Sequence, residues 1–159
     1  MATRIDPQTI ATITGSTYPS PFHQPCSRRS RQPLGDVAGL SQFGVNLLTL
    51  PPGAWSAQRH WHTLEDEFVY VLSGEVTLVT DAGEQVLRAG DAAGFKAGDA
   101  DGHCLQNRSD AAATVLEIGS RFPEDQAFYP DIDLKTAPEG APSPYLHRDG
   151  TPYPDEGRR

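Results

Sequence analysis

GAWSAQRHWHTLEDEFVYVLSG, residues 53–74, holds two histidines two positions apart and then a run of aromatic and β-branched residues. That run, EFVYVL at 67–72, has the composition that packs well on a pleated, half-buried surface, and it predicts a strand. Residues 54–62 (AWSAQRHWH) read as the strand before it. Successive side chains of a strand alternate faces, so His60 and His62 share one face, about 6–7 Å apart along the chain. Imidazoles at that spacing can converge on one ion. Glu67 opens the next strand and can add a carboxylate oxygen.

Outward from this stretch the chain keeps the same character. Residues 43–50 (FGVNLLTL) suit a strand and are punctuated by Pro51, Pro52 and Gly53. Ser73-Gly74 is a turn. Residues 75–80 and 84–88 flank Asp81-Ala82-Gly83, a hairpin signal with glycine where positive φ is needed. Three more short strands are expected at 91–95, 103–107 and 113–119, and weak helical patterns at 4–11 and 123–128. Many short strands broken by Gly and Asp predict an all-β sandwich or barrel. His103 opens the strand at 103–107. Three neutral imidazoles and one carboxylate make a borderline site suited to one divalent transition metal: Fe, Mn, Ni, Zn, Co or Cu. Ca and Mg prefer all-oxygen shells. Histidines in strands are more often surface or satisfied core residues, so the spacing alone leaves both readings open.

The ends differ from the middle. Twelve of the 14 prolines lie before residue 39 or after residue 122, so residues 1–38 are expected as an extended arm and 123–159 as a tail packing on the barrel or a partner subunit. The packed domain is expected at 39–122. Lys and Arg total 13 against 21 Asp and Glu, a formal charge of −8, which disfavours a polyanion partner such as nucleic acid. The basic run Arg28, Arg29, Arg31 reads as a solvated arm. Two cysteines, Cys26 and Cys104, without CxxC spacing, predict a reduced, cytoplasmic setting. No apolar run approaches a membrane span, and the N-terminus lacks the apolar region of a secretory signal.

The spacing around the histidines resembles the two motifs of the cupin superfamily. Gly53 is followed by six residues, His60-Trp61-His62, four residues, Glu67, six residues and Gly74. Gly90 is followed by five residues, Lys96-Ala97-Gly98, four residues, His103, three residues and Asn107. The departures are one extra residue after Gly53, Lys96 where the family has proline, and two extra residues before His103; all fall in turns, where insertions cost little. The resemblance covers about residues 45–119, and it is narrowest to small single-domain bacterial cupins. It implies a single jelly-roll β-barrel (a double-stranded β-helix) with extended N- and C-terminal tails. It also implies His60, His62, Glu67 and His103 as metal ligands and pairing into a homodimer. Only Glu67, and not Asp66, leaves six residues to Gly74 and shares strand parity with Val69 and Val71.

Strand parity nominates Gln58, Val69 and Leu105 as substrate-binding residues, and no catalytic residue is assigned. Phe68 and Tyr70 are expected to pack an outer core and Trp61 to pack against a sheet or interface. Cys104 is expected buried and inert, His23 and His147 solvated. Two function classes follow. One is a metal-dependent enzyme, an isomerase, lyase, decarboxylase or dioxygenase, acting on a small polar metabolite by Lewis-acid or dioxygen chemistry. The alternative is a non-catalytic module that binds or senses a small molecule. A closed structural zinc site ranks last, because such sites favour cysteine.

Overall fold

The structure, a computed structural model, describes residue 2 and residues 4–154. Thirteen strands follow in chain order: β1 (Ile13–Thr14), β2 (Ser30–Pro33), β3 (Phe43–Leu50), β4 (Trp61–His62), β5 (Glu67–Ser73), β6 (Glu75–Thr80), β7 (Gly83–Arg88), β8 (Ala92–Phe95), β9 (Cys104–Gln106), β10 (Ala113–Ser120), β11 (Ala127–Tyr129), β12 (Leu134–Thr136) and β13 (Tyr145–Leu146). One four-residue helix, α1 (Leu34–Val37), separates β2 from β3. All pairings between named strands are antiparallel, in sheets ordered β1-β2-β3-β10-β5-β8, β13-β12-β11-β4 and β7-β6-β9.

Alternation decides what lies inside. On β5, Val69 and Val71 are buried while Phe68, Tyr70 and Leu72 are exposed. Leu48 and Leu50 of β3, Val71 of β5 and Val115 of β10 meet Val76, Leu78, Leu87 and Leu105 of the three-stranded sheet in one core, the inside of a jelly-roll barrel. A fully buried aliphatic side chain of this kind contributes about 1.5–3 kcal/mol.

The structure departs from the sequence reading in several places. The strand expected at 54–62 is continuous only at β4; upstream it touches β9 and its flank through isolated bridges, Trp55 to Gln106 and His60 to His103. The helical pattern at 4–11 yields only a single 3-10 turn, Pro7–Thr9, capped by Asp6. The pattern at 123–128 ends in β11, because Ala127 and Tyr129 are buried and Phe128 stacks on Trp61. Both flanks of the barrel are tied into sheets: β1 and β2 extend the sheet beyond β3, and β11 pairs with β4. They meet in a second apolar cluster of Tyr18, Cys26, Ala127, Tyr129 and Leu134.

Phe68 and Tyr70, expected in an outer core, are 42% and 39% exposed, because no layer covers that part of the sheet. His147, expected in solvent, pairs with Asp133 at 2.7 Å and stacks on Tyr153. His23 is half-buried, with its Nδ1 shielded from solvent. No helix among the described residues is long and apolar enough to cross a membrane.

Candidate metal centre and its cavity

Three elements bring four side chains together. His60 and His103 exchange backbone hydrogen bonds, N–H to O, at 3.1 and 2.9 Å, which fixes one imidazole beside the other. His62 follows on β4, and Glu67 begins β5 on the same inward parity as Val69 and Val71. Gly102 is required before His103: a Cβ there would lie 2.6 Å from Pro130 of the segment crossing above. Phe95 stacks flat on His103 at 3.5 Å, and Tyr129 stacks on His60 at 5.7 Å, so both rings are held by packing.

Glu67 Oε2 is the meeting point. It lies 3.6 Å from His60 Nε2, 3.6 Å from His62 Nε2 and 2.8 Å from His103 Nε2. His60, His62 and Glu67 offer donor atoms all within 4.8 Å of one another. Burial drives the His60 pKa down to about 4 despite the nearby Glu67 carboxylate, so this imidazole is neutral at pH 7. Burial alone would raise Glu67, but the hydrogen bond from His103 and the potential of the imidazoles outweigh it and hold the carboxyl at about 2.

The donor chemistry fits a borderline divalent ion. The Gln58 carbonyl can only accept, so His60 Nδ1 donates to it at 2.8 Å and Nε2 carries a lone pair. That lone pair faces an ionised carboxylate. Two electron-rich atoms brought face to face gain nothing from each other and become favourable when a cation sits between them. His62 is set in the same way: its Nδ1 lies 2.6 Å from Asp125 Oδ2, leaving Nε2 toward Glu67. Asp125 also accepts from the backbone N–H of Leu64 at 2.7 Å. Burial would raise its carboxyl, and the hydrogen bonds from His62 and Leu64 hold it below the ordinary range. Asp125 was not singled out by the sequence, because it sits in the stretch read as helical.

A cavity of about 380 Å³ opens beside the four residues. The inward face of the large sheet explains it. Leu48, Val115 and Val71 form an apolar row across β3, β10 and β5. The next row is Asn46, Glu117 and Val69, and the next is Gly44, Gly119 and Glu67. Core packing ends where side chains turn polar and then vanish. Val69 and Leu105 line this cavity as expected from parity, whereas Gln58 does not: its amide donates to the Phe22 carbonyl at 2.6 Å and holds the N-terminal segment.

The basic run is not a solvated arm. Arg31 makes a two-pronged ion pair with Glu117 at 2.6 and 2.9 Å, and both Arg29 and Arg31 donate to the Ser56 carbonyl on the cavity wall. Only Arg28 stays at the surface, on the Pro52 carbonyl. Cys104 is 2% exposed, and burial pushes its thiol up to about 11, so it is inert as expected.

Comparisons with known proteins agree with this architecture. Residues 46–119 match the cupin domain model. A sugar phosphate isomerase of the cupin superfamily from Silicibacter pomeroyi is 44% identical, with 96% of this chain and 97% of that one covered and a TM-score of 0.88. A putative sugar phosphate isomerase from Acidithiobacillus ferrooxidans is 29% identical over 81% of this chain and 82% of that one, with a TM-score of 0.71. A predicted oxalate decarboxylase from Thermotoga maritima, 18% identical over 76% of this chain and all of that one, with a TM-score of 0.59, shares the fold. No curated protein matches the chain. The two motifs, the barrel that holds them and a relative alike from end to end make this chain a member of the cupin superfamily.

Proposed function

We propose that the protein is a metal-dependent isomerase that interconverts the aldose and ketose forms of a sugar phosphate. The observation that carries this reading is the cluster of His60, His62, Glu67 and His103 opening on a cavity of small-metabolite size. The likeness to the Silicibacter pomeroyi isomerase supports the choice of reaction. Those four residues would hold one divalent transition ion, which when bound supplies Lewis-acid polarisation of a carbonyl and its neighbouring hydroxyl. Asp125 and the Gln58 carbonyl fix the orientation of two of the imidazoles. Val69, Phe95 and Leu105 exclude water from one side of the substrate. Aldose–ketose exchange needs a base that carries a proton between adjacent carbons. Glu65 reaches the cavity, its carboxylate is not tied to a guanidinium among the described residues, and burial raises its pKa. It is the side chain we assign to that transfer.

We also propose a cytoplasmic setting, which the free cysteines Cys26 and Cys104 support, and a homodimer. The uncovered face of β5 and β10, where Phe68 and Tyr70 stand opposite Ile118 and Leu116, supports a second copy as its cover.

The test joins metal analysis of the natively purified protein to turnover in heavy water. A panel of aldose phosphates should exchange the hydrogen on the carbon next to the carbonyl and yield the ketose. His62→Ala should stay folded and lose both metal and turnover. Glu65→Gln should keep the metal and lose about 10²–10⁴-fold in kcat. A fully metallated protein that exchanges no sugar phosphate would leave a binding module in place of an enzyme.

A further inference from the structure

Away from the four-residue cluster, the cavity wall carries cationic and amide groups that the reading above does not use. Arg29 and Arg31 come from the N-terminal segment, Asn46 from β3 and Glu117 from β10. Both oxygens of Glu117 are taken by Arg31, so its charge is locally matched. Arg29 has no carboxylate partner among the described residues. Its Nε donates to the Gly15 carbonyl at 3.0 Å and its Nη1 to the Ser56 carbonyl, while Nη2 makes no hydrogen bond among the described residues. The guanidinium lies 5.6 Å from the centre of the Tyr18 ring, which holds it in place. Two guanidinium groups and one carboxylate leave this end of the cavity with one net positive charge, inside a chain of formal charge −8.

Asn46 adds an independent observation. It occupies the inward parity of β3, in line with Leu48 and Leu50, where a core side chain is the rule. Its amide makes no hydrogen bond among the described residues and lines the cavity. A donor that is neither packed nor paired, on the wall of the same cavity as a guanidinium with a spare N–H edge, is the equipment of an oxyanion seat. Asn46 also lies two strands, about 10 Å, from β5, which carries Glu67. That separation suits a short phosphorylated sugar whose oxygen-bearing end faces the ion site.

We infer that Arg29 and Asn46, together with Arg31, form the seat for the phosphate monoester of the substrate. The inference deepens the isomerase reading and rests on it for the identity of the rest of the molecule. Glu117 is a positioning residue here, because it orients Arg31 and takes up its charge.

The test is a titration of inorganic phosphate into the full-length protein, read by calorimetry, beside the same titration of the His62→Ala variant. Wild type and His62→Ala should bind phosphate alike, within about twofold, whereas Arg29→Gln and Asn46→Asp should weaken it tenfold or more. Asn46→Asp breaks no hydrogen bond seen here, so it decides the matter if Arg29→Gln fails to fold. A phosphorylated aldose should bind more tightly than inorganic phosphate, and the unphosphorylated sugar more weakly than either. Loss of phosphate binding in His62→Ala would put the anion on the metal and overturn the proposal. So would wild-type affinity in Asn46→Asp, or inorganic phosphate binding more tightly than every sugar phosphate. Phosphate binding that follows Arg29 and Asn46 in a protein without isomerase activity would uphold the seat while the isomerase reading falls.

Discussion

Asp125 shows how much a single carboxylate can govern. One of its oxygens orients His62, and the other accepts from Leu64, Glu65 and Thr63 at 2.7, 3.2 and 3.2 Å. Asp125→Asn keeps the size but leaves one acceptor oxygen and no charge. We expect a 10–100-fold loss of metal affinity, measured by competition with a chelator, and a stability cost of about 1–2 kcal/mol. Unchanged metal affinity would mean that His62 is oriented by packing alone. The four clustered side chains were legible in the sequence because His60 and His62 share strand parity and all four fall in segments bounded by turn glycines. Asp125 was not, since it meets His62 across 63 residues. The same holds for Arg31, which reaches Glu117 across 86. Contacts of that reach depend on sheet order, which no local spacing encodes.

Among the elements, the long strands were readable from their length, their β-branched and aromatic content and the turn residues between them; β3, β5, β6, β7 and β10 have six to eight residues each. The short ones were not. β11, β12 and β13 have two or three residues, too few to display a period, and their register comes from pairing with β4 and with each other. The cavity is likewise a property of paired strands. Gly44 and Gly119 face each other across β3 and β10, and together they remove two side chains beside Glu67. A Cβ on Gly119 would meet the Glu67 Cγ only at 3.7 Å, and its φ is not in the left-handed region, so a side chain there is tolerated. Gly119→Leu should therefore fold within about 1 kcal/mol of wild type and keep its metal, while raising KM for substrate tenfold or more. Steady-state kinetics with metal analysis checks this; an unchanged KM would show that substrate enters elsewhere.

At the scale of the whole molecule, the exposed strip of Phe68, Tyr70 and Leu72 on β5 adjoins Ile118 and Leu116 on β10. An apolar strip of this kind, left open on a sheet, calls for a cover. If a second copy supplies it, Tyr70→Glu should shift the mass in solution from dimer to monomer, with the circular dichroism unchanged. Light scattering after size exclusion reads this directly, and a wild type already monomeric at micromolar concentration would remove the dimer from the proposal.

The segment matched to the family begins at residue 46 and ends at 119. Arg29, Arg31 and Tyr18 precede that window and Asp125 follows it, yet all four border the cavity or its donors. A window drawn at 46–119 therefore leaves out the carboxylate that orients His62 and the guanidinium that reaches the Ser56 carbonyl on the cavity wall. Substitutions in the two flanks can reshape the cavity while every residue of the window stays the same.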